Sequence, residues 1–458
     1  MEIGHVFRAY DIRGIANKDL TPDLILKASN IFANLVSENN GRCVAISGDV
    51  RASTMSFIYA SVSGVISAGL HTYLTYPLPI PTFCFLIWRS KQIAGGAYVT
   101  ASHNPPEYNG IRFRRGDGTG FSSENLEVKE RFFKGIVKYA EWHSIGRVRR
   151  IPNKRIIEQY IDFINSRIPG ASKSLSVIID GKNGAANLVI TELFAKLGHR
   201  ILGINTNIDG KFPSGMPDPL HGDTSHLSSL TAQTKKPGIA YDGDGDRAAF
   251  FDENGRLVPS EIIGLFLAEN LLKANDVIVY NTMCSSIIRR KAEEMGFRTV
   301  ECRVGDVFMS EALKKHQGKL GVEESYHFFL PVYGFYYDDA IMASTLVINL
   351  LAQTEKTLAN IYDSYGPFHT IRMNIGVSED IKFLAIDKFK EWALNNYSEV
   401  SVVDGVKIYL DNGSFLARPS NTEPLIRIVA DADNKNYAEE IITKFTKKLE
   451  DIIASLTT

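Results

Sequence analysis

Short β-branched runs that end in polar turns recur along the chain. The first is Cys43-Val44-Ala45-Ile46-Ser47-Gly48-Asp49, the second Ser176-Val177-Ile178-Ile179-Asp180-Gly181 and the third Asp276-Val277-Ile278-Val279-Tyr280-Asn281. Apolar runs of this length, bounded by turn residues, predict buried strands. A helix-patterned stretch follows each run and stops near a glycine, at Gly69, Gly198 and Gly296. Glycine there suits a helix C-cap in the left-handed region. A second strand then opens over residues 71–74, 200–203 and 298–301. Three strand–helix–strand units in register predict repeated domains with mixed or parallel sheets and helices on both faces.

The pattern changes from about residue 366. A strand over 370–377, a helix over 381–395, a hairpin of 406–410 and 414–416 around Asp411-Asn412-Gly413, a strand over 425–430 and a helix over 436–453 predict a smaller α+β domain. The expected fold class is α/β: three repeated mixed α/β domains plus a smaller C-terminal α+β domain. The expected boundaries are 1–145, 146–247, 248–365 and 366–458.

Composition narrows the function classes. The 458 residues are 44% hydrophobic and 22% charged, with a formal net charge of −1, which gives no basic surface for nucleic acid. The four cysteines (Cys43, Cys84, Cys284, Cys302) lie far apart and make no C-x-x-C pair. They predict buried apolar side chains rather than disulfides or a zinc site. The N-terminus lacks a signal-peptide pattern, and the longest apolar stretch, residues 78–88, contains two prolines and is too short to span a membrane. The expectation is a soluble, reducing, cytoplasmic protein with no membrane partner.

Four loops carry candidate chemistry. Thr100-Ala101-Ser102-His103-Asn104-Pro105 runs from a strand into a turn punctuated by Asn-Pro and Asn109-Gly110, which predicts an exposed, rigid loop. A serine hydroxyl needs a base or metal to become nucleophilic; adjacent His103 need not be that base, and on these residues alone Ser102 reads first as a turn serine. Asp242-Gly243-Asp244-Gly245-Asp246-Arg247 follows a strand, and three alternating carboxylates can converge on one hard cation. The EF-hand alternative has Glu253 at its twelfth position but Arg247 at the sixth, where glycine is needed, and strand-like flanks. Arg247 is a natural phosphate ligand. Glu323-Glu324-Ser325-Tyr326-His327 suits sugar hydroxyls or proton transfer, or is a plain polar turn. Arg418-Pro419-Ser420-Asn421-Thr422-Glu423-Pro424, with Arg427 just beyond, is a plausible phosphate cradle, or a plain loop.

Together with Phe7-Arg8-Ala9-Tyr10-Asp11-Ile12-Arg13-Gly14, these motifs resemble the α-D-phosphohexomutase superfamily, in its phosphomannomutase/phosphoglucomutase branch, over the whole chain. The resemblance implies four domains around a central active-site cleft. It implies interconversion of hexose 1-phosphate and hexose 6-phosphate, with hexose 1,6-bisphosphate as intermediate and activator. Ser102 would carry the phosphate, and Asp242, Asp244 and Asp246 would hold Mg²⁺ with it. Arg13, Arg112, His103 and His327 would serve catalysis. Tyr10, Arg247, Gly305, Asp306, Glu323, Ser325, Arg418, Ser420, Asn421, Thr422 and Arg427 would bind the phosphosugar. Three positions depart from relatives: Arg112 and Met283, where lysine is frequent, and Tyr326, where glycine or alanine is usual. Phosphoglucosamine mutase and a non-catalytic phosphosugar-binding protein are the alternatives, with Gly245 leaning toward the first branch.

Overall fold

A computed structural model describes residues 3–8, 10–168, 170, 173–420 and 423–457. It divides into two compact units, one of residues up to Val258 with Ser325–Ala359, the other of Pro259–Glu324 with Asn360 onward.

The three predicted repeats are all present. Strand Cys43–Gly48 pairs in parallel with His71–Leu74, Ser176–Asp180 with Arg200–Ile204, and Val277–Asn281 with Arg298–Cys302. In each repeat the first strand is central and takes a further parallel strand on its other side, Gly95–Val99, Gly238–Tyr241 or Leu320–Val322. The glycines between helix and second strand have φ of 93° at Gly69, 87° at Gly198 and 82° at Gly296. The amide after each reaches back to close the last helical turn, as with His199 N to Phe194 O at 2.9 Å and Phe297 N to Ala292 O at 2.9 Å, the Schellman pattern.

In the first unit, the first sheet is extended by antiparallel strands Tyr108–Arg115 and Ile12–Ile15 and, at the other edge, by Val148–Arg150. The second sheet continues past residue 247 through Ala248–Phe251 and Leu257–Val258. In the second unit, the C-terminal sheet is antiparallel, in the order His369–Gly376, Leu425–Ala432, Gly413–Pro419, Val406–Leu410, Val400–Ser401. Helices Glu379–Asn396 and Lys435–Thr457 contribute Phe389 and Phe445 to the core they share with this sheet. The hairpin turn falls one residue early, because Leu410 pairs with Gly413 and leaves Asp411 and Asn412 as the loop.

Cys84, Cys284 and Cys302 are buried and unbridged as expected, while Cys43 is only half-buried. The stretch 78–88 becomes the ten-residue helix Ile80–Arg89, nearly all of it buried. Among the described residues no helix is long and apolar enough to cross a membrane.

Asp339 caps helix Ala340–Thr354 through Met342 N at 2.8 Å and accepts the Tyr160 hydroxyl at 2.7 Å. Burial lifts its carboxyl from 3.8 to about 7. The folded chain therefore holds a proton that the unfolded chain releases, and this contribution is lost as pH rises from about 4 to 7, by up to roughly 4 kcal/mol. Asp339→Asn keeps the cap and the hydroxyl acceptor. Urea unfolding at stepped pH is expected to show the variant more stable than wild type at pH 8, with the difference vanishing near pH 4.

Candidate active site

The serine loop joins two antiparallel strands, Gly95–Val99 and Tyr108–Arg115. Ser102 has a left-handed φ of 49° and is 3% exposed, buried where an exposed loop serine was expected. Its amide donates to Thr100 Oγ1 at 2.7 Å, and its hydroxyl donates to Asp242 Oδ2 at 2.8 Å. The ring of His103 turns back, placing Nδ1 3.2 Å from Ser102 Oγ, although neighbours in sequence rarely face each other. Arg247, then burial, then Arg13 hold this imidazole well below its usual range, so it is neutral near pH 7.

The acidic loop closes the antiparallel hairpin of Gly238–Tyr241 and Ala248–Phe251. Asp242, Asp244 and Asp246 are all fully buried, and one carboxylate oxygen from each lies within 4.8 Å of the others. Asp242 Oδ1 accepts the amides of Gly245 at 2.9 Å and Arg247 at 3.2 Å. Thr100 Oγ1 lies 2.8 Å from Asp49 Oδ2 and 2.9 Å from Asp244 Oδ2. One hydroxyl proton serves one carboxylate, so the other contact needs a further positive charge or proton. Burial, with Asp246 behind it, lifts Asp244 to about 6, and burial, with Asp246 and Asp244, pushes Asp242 well above the carboxylate range. Burial also raises Asp246, but His327, Arg112 and Arg247 outweigh it and hold that carboxyl well below.

These residues fit a divalent cation. Among the described residues neither Asp244 Oδ1 nor Asp246 Oδ1 accepts a hydrogen bond, and the His327 ring lies 3.4 Å from Asp246 Oδ1. Buried carboxylate oxygens left in this state are costly unless a cation compensates them. Hard oxygen donors on a short loop suit Mg²⁺.

Cationic groups surround the triad within the first unit. Arg112 Nη1 donates to Asp246 Oδ2 at 3.0 Å, and Arg247 Nε meets His327 Nε2 at 3.3 Å. His327 Nδ1 is 2.9 Å from Ser325 Oγ, with Asp338 3.8 Å from Nε2. Tyr326 sits between them with φ 68° and a buried ring whose hydroxyl donates to Val258 O at 2.8 Å. Arg13 donates to Asp11 at 2.6 Å, Asn104 Oδ1 at 2.8 Å and Ala101 O at 3.2 Å, so it touches the serine loop directly. Tyr10 lies half-buried just ahead of Arg13.

The remaining predicted residues belong to the second unit. Glu323 Oε1 accepts from Asn281 at 3.1 Å and from Gly305 N at 3.2 Å, beside Asp306, which opens helix Asp306–His316. Arg418 is paired in register with Arg427 on the neighbouring strand, which sets two like charges side by side. Arg418 is held by Asp404 at 2.8 Å and Arg427 by Glu423 at 3.0 Å. Ser420 is buried, and its carbonyl accepts from the buried Lys382 at 2.6 Å. Asn421 and Thr422 lie outside the described residues. Met283 packs with Leu416, Val429 and Val304.

Sequence reasoning missed the buried supports: Asp49, Arg51 and Thr100 behind Ser102, and Lys382 and Asp404 beside Ser420 and Arg418. For Asp49, Arg51 and Thr100, polar residues at the ends of buried strands were the sequence signal, seen at Gly48-Asp49 and not followed further.

The fold and this site define an enzyme of the phosphohexomutase type. The chain belongs to the phosphoglucomutase/phosphomannomutase family: its α/β/α domain I model matches residues 4–137, domain II 158–255, domain III 259–368 and the C-terminal domain 373–448. The phosphoglucomutase/phosphomannomutase of Thermococcus kodakarensis is 31% identical over 98% of this chain and 100% of its own length. The phosphoglucosamine mutase of Carboxydothermus hydrogenoformans is 29% identical over 98% and 100%. A solved family member from Burkholderia thailandensis superposes with a TM-score of 0.88 at 25% identity, covering 98% of this chain and 97% of that one.

Gly243 packs directly on the serine loop, and a Cβ there would stand 2.5 Å from Ser102 O. Gly243→Ala must push the two loops apart, and calorimetric titration with Mg²⁺ is expected to show affinity reduced by about tenfold or more, in the range of a lost supporting contact.

Proposed function

We propose that this enzyme interconverts hexose 1-phosphate and hexose 6-phosphate, of mannose or glucose, through a phosphoserine at Ser102. A hexose 1,6-bisphosphate forms, reorients and returns its other phosphate. The observation that carries this reading is the Ser102 hydroxyl aimed at Asp242 inside a buried carboxylate triad.

Asp242, Asp244 and Asp246, with the Ser102 phosphate, would hold Mg²⁺, which when bound neutralises charge on the transferring phosphoryl group. The protein's own part is positioning and electrostatics. Arg247 and Arg112 bring fixed positive charge to the triad, and Arg112 stays protonated, so it binds charge and does not act as a base. His103, neutral and 3.2 Å from Ser102 Oγ, can take the hydroxyl proton as the phosphoryl leaves the sugar and return it on the way back. Asp242 holds that hydroxyl in line. Arg13 braces the loop. His327, oriented by Ser325, faces the same triad and can exchange a proton with the sugar hydroxyl. Tyr10, Gly305, Asp306, Glu323 and Ser325 bind the sugar. Arg418, Ser420, Asn421, Thr422 and Arg427 grip the phosphate that does not react.

Phosphoglucosamine is the second reading, supported by the similarity to phosphoglucosamine mutases. A coupled assay with mannose, glucose and glucosamine 1-phosphates, with Mg²⁺ and bisphosphate activator, separates the two. Mannose or glucose 1-phosphate should give the highest kcat/KM; preference for glucosamine 1-phosphate selects the second reading, and no turnover of any sugar rejects both. Removing Mg²⁺ with EDTA should abolish turnover, and re-addition should restore it. Intact mass should show one phosphate on wild type and none on Ser102→Ala, whose kcat should fall by roughly 10³-fold or more.

A further inference from the structure

We propose that Asp49 and Arg51 form a buried clamp that sets the conformation of the serine loop and thereby the rate of phosphoryl transfer. Both are positioning residues, and the proposal rests on Ser102 being the phosphoryl carrier.

Arg51 is spent entirely on the protein. Its side chain and that of Asp49 are fully buried. Nε donates to Asp49 Oδ2 at 3.1 Å, Nη1 to Pro105 O at 2.6 Å and Tyr108 O at 3.1 Å, and Nη2 to Ser102 O at 2.7 Å and Asn104 O at 2.6 Å. A guanidinium has five N–H groups in a planar fork, and here each has an acceptor. None remains for a phosphate, which separates Arg51 from an arginine that binds substrate. Its guanidinium also lies 5.0 Å over the ring of Phe212.

The clamp holds the peptide of Ser102 from both sides. Arg51 takes the carbonyl, and Thr100 Oγ1 accepts the amide while standing 2.8 Å from Asp49 Oδ2. Asp49 Oδ1 is itself held by Arg51 N at 3.0 Å and Thr54 Oγ1 at 2.8 Å. Between these contacts Ser102 keeps a φ of 49°, a region that side-chain-bearing residues rarely adopt. Relaxation of Ser102 into ordinary β or right-handed backbone would carry Oγ away from Asp242. The loop's reactive geometry is thus a strained state maintained by a buried ion pair with every hydrogen bond satisfied.

The second repeat supports the assignment independently. Its central strand ends in Asp180-Gly181-Lys182, at the same spacing as Asp49-Val50-Arg51. Lys182 N donates to Asp180 Oδ1 at 3.0 Å, and its ammonium lies 3.2 Å from Asp180 Oδ2 and bonds the carbonyl of Asp223. An acid at the strand end, capping the amide two residues on and pairing with that residue's cation, is a loop anchor in both repeats. Four carbonyls need the arginine fork in the first; one carbonyl is within a lysine's reach in the second.

Arg51→Lys keeps the charge and gives up the fork. Steady-state kinetics should show kcat reduced by about 10²-fold with KM within about threefold. Phosphorylation of Ser102 by hexose 1,6-bisphosphate, followed by intact mass, should slow by a similar factor. Asp49→Asn should lose less in the same direction. A purely structural residue would lower thermal stability and leave kcat per folded molecule near wild type, and that result overturns the proposal, as does a rise in KM at unchanged kcat. Hydrogen exchange on the wild-type enzyme gives a test free of any folding defect: the amides of Ser102 and Asn104 should exchange as slowly as neighbouring strand amides, and rapid exchange overturns the clamp. Absence of phosphate on wild type overturns the phosphoserine reading and the clamp's role with it. A phosphorylated wild type beside an equally fast Arg51→Lys overturns the clamp alone.

Discussion

Three carboxylates packed into one dry loop are the constraint around which the first unit is arranged. Unit charges 4.8 Å apart repel by roughly 3 kcal/mol at an effective dielectric constant of about 20, before any cost of leaving water. Asp242, Asp244 and Asp246 tolerate this because each is answered differently. Asp242 takes two backbone amides and the Ser102 hydroxyl. Asp246 takes Arg112 and faces His327. Asp244 shares the Thr100 hydroxyl and, among the described residues, keeps one oxygen without a hydrogen-bond donor. What the protein leaves uncompensated is the place where a divalent cation would act. Stability alone would not select such an arrangement, because a buried charge cluster is weaker than apolar packing of the same volume.

The repeats show how one supersecondary unit supplies different parts. Each central strand ends at the carboxyl edge of its parallel pairings, where α/β folds place their loops. In the first two repeats the strand end carries an acid and, two residues on, a cation that grips backbone carbonyls. The third reads Asn281-Thr282-Met283. Its amide reaches Glu323, and the cation arrives from another strand: buried Lys407 donates to Thr282 O at 2.9 Å and Cys284 O at 2.6 Å. Met283 is then free to be apolar and packs on Leu416 and Val429. The departure at Met283 is thus compensated within the second unit by a lysine on the C-terminal sheet.

Much of this was legible in the chain because local signals agreed with one another. Continuous β-branched runs, capping glycines and the turn near Asn412 located the repeats and the C-terminal hairpin to within a residue or two. The acidic loop announced itself because alternate aspartates separated by glycines have few other uses. Less legible was anything that depends on burial or on a backbone turn. Ser102 was expected at the surface because its loop is polar; the sequence does not say that Arg51, fifty-one positions earlier, draws four of that loop's carbonyls inward. His103 could be placed against Ser102 only once the left-handed φ of Ser102 was known. Asp404 and Lys382 gave no signal, since a charged residue on a strand end or helix reads as solvated until its partner is seen.

Arg112 shows how such supports bear on chemistry. A lysine opposite Asp246 could yield a proton if burial lowered its pKa; an arginine does not. With Arg112 in an ion pair 3.0 Å long, the charge opposite Asp246 is constant across the pH range in which the enzyme would work. On the proposed reading, proton movement then falls on other groups. The imidazoles of His103, beside Ser102 Oγ, and His327, between Ser325 and Asp246, stand next to the proposed reacting groups. On the proposed reading the substitution moves acid–base work away from position 112 and toward these two rings, leaving Arg112 to keep Asp246 ionised and the metal site intact.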